Sequence, residues 1–236
     1  MKKLIRITTV PISLSMLLSG QLSYFKKYFE IIAVSSPGNI LNKVESEAKV
    51  RTLSLNLTRA ITPLKDIISL IKFTFFLIEE KPLIVHSHTP KAGIVSMLAA
   101  FLARVPIRMH TVAGLPLMEA KGFKKKVLIF VEKLTYATAT NVYPNSFGLK
   151  DYIIKNKFCS ESKVKVIGSG SSNGIDTDYF SVSNMNSDVL RQIKESIGIE
   201  KDTFVFCFVG RIVRDKGIHE LVSAFNRIEQ KEFKSK

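Results

Sequence analysis

The feature that most constrains this chain is an alternation. Short strand-like apolar runs, "LIRITTV", "EIIAVSS", "KVRTLSL", "LIVHSH", "IRMHTV", "TNVYPNS" and "KVKVIGS", recur along residues 4–169, separated by longer helix-like stretches. Parallel strands need long crossovers, and helices supply them, so the pattern predicts an α/β chain whose parallel sheet carries helices on both faces. Right-handed crossovers are expected throughout.

Two of the intervening helices are legible. Thr62 stands where a cap belongs, Pro63 suits a first turn, and Lys81-Pro82 closes the helix before the next strand. A second, Lys91 to Arg104, places Ile94, Leu98, Phe101 and Leu102 at helical spacing. Within the first, "IISLIKFTFFLI" (Ile67 to Ile78) is the most apolar segment of the chain. It is shorter than the roughly 20 residues a membrane-spanning helix needs, so a buried or surface-dipping helix is expected. The start, "MKKLIRITTVPISLSMLLSG", has the basic-then-apolar order of a signal peptide. Yet "LIRITTV" reads as a first strand, Pro11 and the serines break the run, and no clear cleavage site follows.

After Asp176 the character changes, and "DTDYFSVSNMNSD" is polar and turn-rich. A linker is therefore expected near residues 178 to 186, dividing a first domain (1–180) from a second stretch (181–236). That stretch opens with "TFVFCFVG", an apolar run suited to a buried parallel strand, followed by a helix with Ile218, Leu221, Val222, Phe225 and Ile228 at helical spacing.

Lys and Arg number 35 against 20 acidic residues, a formal charge of +15. An anionic partner follows: nucleic acid, an anionic membrane surface, or phosphorylated small molecules. No RNA-binding aromatic motif, zinc-finger spacing or basic zipper occurs, which places nucleic acid behind a membrane or a sugar nucleotide. The densest basic cluster, Lys121 to Lys126, is equally a solvated helix start or a functional patch. Only two cysteines, Cys159 and Cys207, are present, which suits a reducing cytoplasm.

Several residues are candidates for chemistry. Arg211, Arg214 and Lys216 lie between the expected strand ending at Gly210 and the helix starting near Gly217. Cations beside a helix N-terminus at a strand end suit a diphosphate, and an ordinary basic loop fits the same spacing. His86 and His88 end one expected strand and His110 lies near the end of the next, so all three are expected to approach one crevice. His-x-His without a suitably spaced Asp does not make a metal site. Lys91, with the Ala92-Gly93 helix start, suits a phosphate or is a plain helix start. The glycines of "GSGSSNG" (Gly168 to Gly174) fall at the wrong spacing for a dinucleotide fingerprint.

"FVGRIVRDKGIHELVSAF" (Phe208 to Phe225) resembles the start of the donor-binding domain of family 4 retaining glycosyltransferases of the GT-B fold, with their Gly-Arg-x(n)-Lys-Gly pattern. "KPLIVHSHTPKAGIVSMLAAFLARVPIRMHTVAG", "YPNSFGLKDYIIKN" and "KVKVIGSGSSNGIDTDYF" resemble acceptor-domain segments of bacterial members that build capsule, O-antigen and other lipid-linked polysaccharides. The resemblance implies an acceptor-binding Rossmann-like domain over 1–180 and an incomplete second Rossmann-like domain after it. It implies a nucleotide-sugar donor, most often a UDP-sugar, a lipid-linked or polysaccharide acceptor, no metal or cofactor, and work at the cytoplasmic membrane face.

By the same resemblance Arg211 and Lys216 hold the donor diphosphate, Gly174 and Asp176 border the donor sugar, His110 stands in for a catalytic histidine, and His88 and Lys91 face the acceptor. Two departures stand out. Ala113 occupies the position where the family carries a histidine near the transferred sugar, and Thr8, Thr9, Val10 and Pro11 replace its glycine-rich loop. The family's paired glutamates would fall beyond Lys236, so a truncated transferase is expected, with its tail poorly stabilised. The alternatives are a non-catalytic membrane- or acceptor-binding remnant and an exported sugar-binding protein.

Overall fold

The computed structural model describes residues 1–171, 173–200 and 203–230. It divides into two compact units, Met1–Gly174 and Ile175–Lys236.

The first unit is built on a six-stranded parallel sheet: β1 (Lys3–Ile7), β2 (Glu30–Ser35), β3 (Arg51–Ser54), β4 (Ile84–Ser87), β5 (Ile107–Val112) and β6 (Asn141–Pro144). The strand order is β3-β2-β1-β4-β5-β6, with every pair parallel. This α/β Rossmann-like architecture is the fold expected for a GT-B domain. The central strands are apolar on both sides because helices cover both sides. Ile5, Ile7, Ile32 and Val34 are fully buried in a core with Phe73 and Leu77 of α4 (Pro63–Glu80) and with α5 (Pro90–Leu102) and α6 (Gly122–Thr138). Leu4, Ile31 and Ala33 point the other way, into a core with Leu14 and Leu22 of α1 (Pro11–Leu17) and α2 (Gln21–Phe25) and with Leu41 and Val44 of α3 (Asn39–Ala48). The signal-like opening stretch thus forms the central strand β1 and the helix α1 that packs on the sheet.

Three sequence expectations are corrected here. "KVKVIGS" does not extend the sheet: it contributes a single parallel bridge, Val142 to Val164, before the chain turns into the glycine loop. Thr62 does not cap α4 through its side chain; its hydroxyl donates instead to Asp66 Oδ1 at 3.1 Å. The helix expected over Lys91–Arg104 ends at Leu102 and buries the face bearing Ala92, Gly93, Ser96, Ala99 and Ala100, while Phe101 and Leu102 stay exposed. Small side chains win that face because α5 is packed against β4, β5, α4 and α6.

α7 (Phe147–Lys155), capped by Ser146 accepting from Leu149 N–H at 3.2 Å, completes the first unit. Gly170, at φ 96, lies so close to Asn145 that an added Cβ would sit 2.5 Å from its carbonyl oxygen. Only glycine fits both that dihedral and that approach.

In the second unit α8 (Ser187–Ser196) is capped by Asn186, and α9 is Ile218–Gln230. The strand expected at Phe204–Val209 is absent among the described residues, and its apolar side chains are exposed. A lone extended segment has no neighbour for its backbone N–H and C=O groups, so an apolar run is not enough to make it a strand. Phe204, Phe206 and Phe225 form edge-to-face contacts, but no described side chain of this unit is buried.

Candidate functional site

In an open parallel sheet the crevice falls where the strand order reverses, outside the carboxyl ends of the strands. Here that point lies between β1 and β4. Two ties lace it. Thr9 N–H donates to Thr89 Oγ1 at 2.9 Å, with the two hydroxyls 2.7 Å apart. Beneath them Arg6 Nε donates to His88 Nε2 at 3.0 Å, and another Arg6 nitrogen donates to Gln21 Oε1 at 2.7 Å. The Gln21 amide in turn donates to Asn173 Oδ1 at 3.0 Å, and Ser19, Gln21, Phe25, Asn173 and Gly174 line an open cavity of about 660 Å³.

The electrostatics follow from burial. Arg6 is almost fully buried, and burial pulls its guanidinium down to about 10, which leaves it charged at neutral pH. Its partners are the neutral Gln21 and His88 and the Phe25 ring, 5.4 Å from the guanidinium carbon. No carboxylate lies within ion-pair distance of it among the described residues. Burial, then the neighbouring His86 and Arg6 charges, holds His88 well below the ordinary histidine value; burial and Arg6 do the same to His86. With Arg6 donating to Nε2, the neutral His88 carries its proton on Nδ1. The result is an uncompensated cation beneath the crevice, which favours an anionic group there.

The three histidines do not share that crevice. Side chains alternate along a strand, so His86 and His88 point to the α1–α2 face and the intervening Ser87 to the α5 face. His110 is level with Ser87 and points with it: Ser87 Oγ and His110 Nδ1 are 2.7 Å apart. His110 lies beneath Gly93 of α5, 5.9 Å from the Tyr136 ring, 2% exposed and pulled down to about 4 by burial. His110, expected to be catalytic, is a buried ring in this structure, packed beneath α5 and beside Ser87. His86 pairs with Thr111 Oγ1 at 2.8 Å, with its ring 4.1 Å from that of His88.

Other expected site residues are also engaged. The Lys91 ammonium, expected to meet an acceptor phosphate, is ion-paired with Asp66 of α4, so it joins two helices. Asp176 Oδ1 accepts from the N–H groups of Asp178 and Tyr179 at 3.1 and 2.9 Å, closing a turn. Gly174 borders the cavity beside Gln21. In the second unit Arg211 and Lys216 are exposed on the segment leading into α9, where a turn of 3-10 helix (Arg214–Lys216) ends on Gly217 in the left-handed region, φ 72. Among the described residues no group of three metal-ligating side chains occurs, and no helix is long and apolar enough to cross a membrane.

Arg6, Gln21, Thr89 and Asn173 were not singled out from the sequence. Arg6 alone left a signal there: a cation inside an otherwise apolar central strand requires buried polar partners.

Residues 31–170 match the model of the glycosyl transferase 4-like domain. The chain is 39% identical over 238 residues to the capsular polysaccharide biosynthesis glycosyltransferase CapM of Staphylococcus aureus, covering 100% of this chain and 60% of that protein. It is 34% identical over 161 residues to the UDP-Gal:alpha-D-GlcNAc-diphosphoundecaprenol alpha-1,3-galactosyltransferase of Escherichia coli, covering 66% of this chain and 39% of that protein. Among solved structures, a glycosyltransferase from Rickettsia africae ESF-5 superposes with a TM-score of 0.68 at 16% identity, over 98% of this chain and 59% of that one. Anabaena Alr3699/HepE in complex with UDP and glucose gives the same TM-score and identity over 96% and 58%.

Proposed function

The chain belongs to the glycosyl transferase 4-like family, and from that premise we propose that it takes part in moving a sugar from a nucleotide-sugar to a lipid-linked or polysaccharide acceptor during bacterial surface-polysaccharide synthesis. The observation that carries this reading is the 39% identity to CapM across all 238 aligned residues, which runs through both the Rossmann-like unit and the Gly210-Arg211…Lys216-Gly217 turn. A UDP-sugar donor is supported by the naming of the E. coli relative and by the UDP held in the Anabaena structure.

The chemistry asked of the protein is mostly electrostatic. Arg211 and Lys216, with the amides at the start of α9, stabilise the departing diphosphate. The β1–β4 crevice, over the charged Arg6, receives the acceptor, whose phosphate suits the positive potential there. A lipid-linked acceptor places the work at the inner face of the membrane. Gly174, lining the cavity beside Gln21, is the position assigned to the donor-sugar border.

A second reading, an acceptor-binding protein without its own turnover, is favoured by the absence of any buried side chain among the described residues of the second unit. One experiment separates them. The 236-residue chain is given radiolabelled UDP-sugars and a soluble acceptor analogue, and UDP binding is titrated calorimetrically. Transfer, with Lys216→Ala weakening UDP binding by about tenfold or more, supports the transferase. Acceptor binding without UDP binding or transfer supports the second reading.

A further inference from the structure

The crevice between β1 and β4 holds two buried donors that lack an acceptor. Arg6 is 3% exposed and uses two of its nitrogens: Nε donates to His88 Nε2, and Nη2 to Gln21 Oε1. Its third nitrogen, Nη1, has no hydrogen-bond partner among the described residues. His88 is 5% exposed. With Nε2 accepting from Arg6, its proton sits on Nδ1, which likewise has no acceptor among the described residues. Neither atom is sealed from solvent, since Tyr136 Oη is the only fully buried side-chain polar atom without a partner among those residues. A buried guanidinium with an open donor is costly until an acceptor arrives, and a charged oxygen is the strongest one for it.

Gln21 decides whether that charge stays available. Gly20, at φ 73, turns the chain between α1 and α2 and leaves Gln21 over β1. Because Arg6 can only donate, the Gln21 oxygen faces it and the amide nitrogen faces away, donating to Asn173 Oδ1 at 3.0 Å and to Leu17 O at 3.4 Å. Asn173 Nδ2 donates in turn to Met16 O at 3.3 Å. One amide thus fixes the guanidinium and ties down the loop that carries Gly174, and Gln21 and Gly174 line the same cavity. A glutamate would accept from Arg6 equally well. It would also cancel the charge and set an oxygen against Asn173 Oδ1.

We propose that Gln21 is a positioning residue for a diphosphate-bearing ligand: its neutral amide orients Arg6 and His88 for that group with the charge uncancelled, and holds the Gly174 loop at the same cavity. The inference rests on the transferase reading, in which a lipid-linked acceptor and a nucleotide-sugar donor both carry phosphates. It adds the residue that makes the crevice select an anion.

Farnesyl diphosphate, standing for a lipid-linked diphosphate, and UDP, standing for the donor, are titrated calorimetrically into the 236-residue chain. Gln21→Glu is expected to weaken farnesyl diphosphate binding by about tenfold or more, with the melting temperature kept or raised because Arg6 gains an ion-pair partner. Gln21→Met should do the reverse. Its melting temperature falls as Arg6 and Asn173 lose their hydrogen bonds, while binding, with the charge uncancelled, falls less than for Gln21→Glu. A residue that merely supported the fold would rank the two variants alike in stability and in binding. A loss confined to UDP in Gln21→Glu assigns the crevice to the donor's diphosphate, and a loss confined to farnesyl diphosphate assigns it to the acceptor's. No binding of either probe by the wild type, unchanged binding of both in Gln21→Glu, or affinity lost in step with melting temperature in both variants would each overturn the proposal. Binding needs no turnover, so the two readings fail separately. Transfer by a Gln21→Glu variant with wild-type affinities would sink this inference and leave the transferase standing, whereas the expected binding pattern without transfer would do the opposite.

Discussion

Gly93→Ala is the most informative single substitution in the first unit. In an ordinary helix it would help, since alanine is favoured over glycine by about 1 kcal/mol. At this position the added Cβ would sit 2.5 Å from His110 Cε1, 3.0 Å from Nδ1 and 3.3 Å from Nε2. Carbon atoms rest about 3.5–4.0 Å apart, so the ring must move by roughly 1 Å. It has little room: His110 is 2% exposed, its Nδ1 is 2.7 Å from Ser87 Oγ, and the Tyr136 ring is 5.9 Å away. Overpacking costs about 1–3 kcal/mol and a loosened buried hydrogen bond about another 1. Set against the helix gain, the net loss is about 1–3 kcal/mol, or a melting temperature lower by roughly 2–12 °C for a unit of this size. Urea and thermal melts followed by circular dichroism measure it. The control is a double-mutant cycle with His110→Ala: once the ring is gone, Gly93→Ala should be neutral or stabilising by up to about 1 kcal/mol. A rise in melting temperature for Gly93→Ala alone, or a coupling energy near zero, would refute the packing of His110 under α5.

Acid should weaken the first unit through its histidines. Burial lowers His110 from 6.5 to about 4, so between those values the unfolded chain binds the proton that the folded one refuses. Stability is then complete above about pH 6.5 and falls as the pH drops to about 4, with roughly 3 kcal/mol from this fully buried group. His86 and His88 are lowered in the same direction. Urea midpoints measured from neutral to mildly acidic pH should fall for the wild type and fall less for His110→Asn; a flat profile would contradict the burial. Limited proteolysis should cut within residues 175–230 well before it cuts 1–170, because the described side chains of the second unit are all at least partly exposed. Equal resistance of the two units would contradict this.

How far the sequence reaches is clearest at particular residues. The strands β1 to β6 all fall on expected runs, β1 starting one residue earlier at Lys3, because an apolar run bounded by turn residues is a local signal. "TFVFCFV" carries the same signal and forms no strand among the described residues, since a strand exists only through its neighbours. The turn before α9 was legible because Gly210, Arg211, Lys216 and Gly217 lie within eight residues of one another. Arg6 with His88, 82 residues apart, and Lys91 with Asp66, 25 apart, were not, because folding alone brings them together.

By itself, then, the sequence determined the α/β class, the parallel order of helices and strands, the basic composition and the glycine-bounded turn before α9: all are periodicities, compositions or short spacings. The tertiary structure decided which way each histidine faces. Strands buried on both sides carry no alternation of polar and apolar residues to reveal their faces, so only strand register put His110 in the core and His88 beside Arg6. It also decided which face of α4 is left over. Both faces are apolar in the sequence, and the sheet can cover only one.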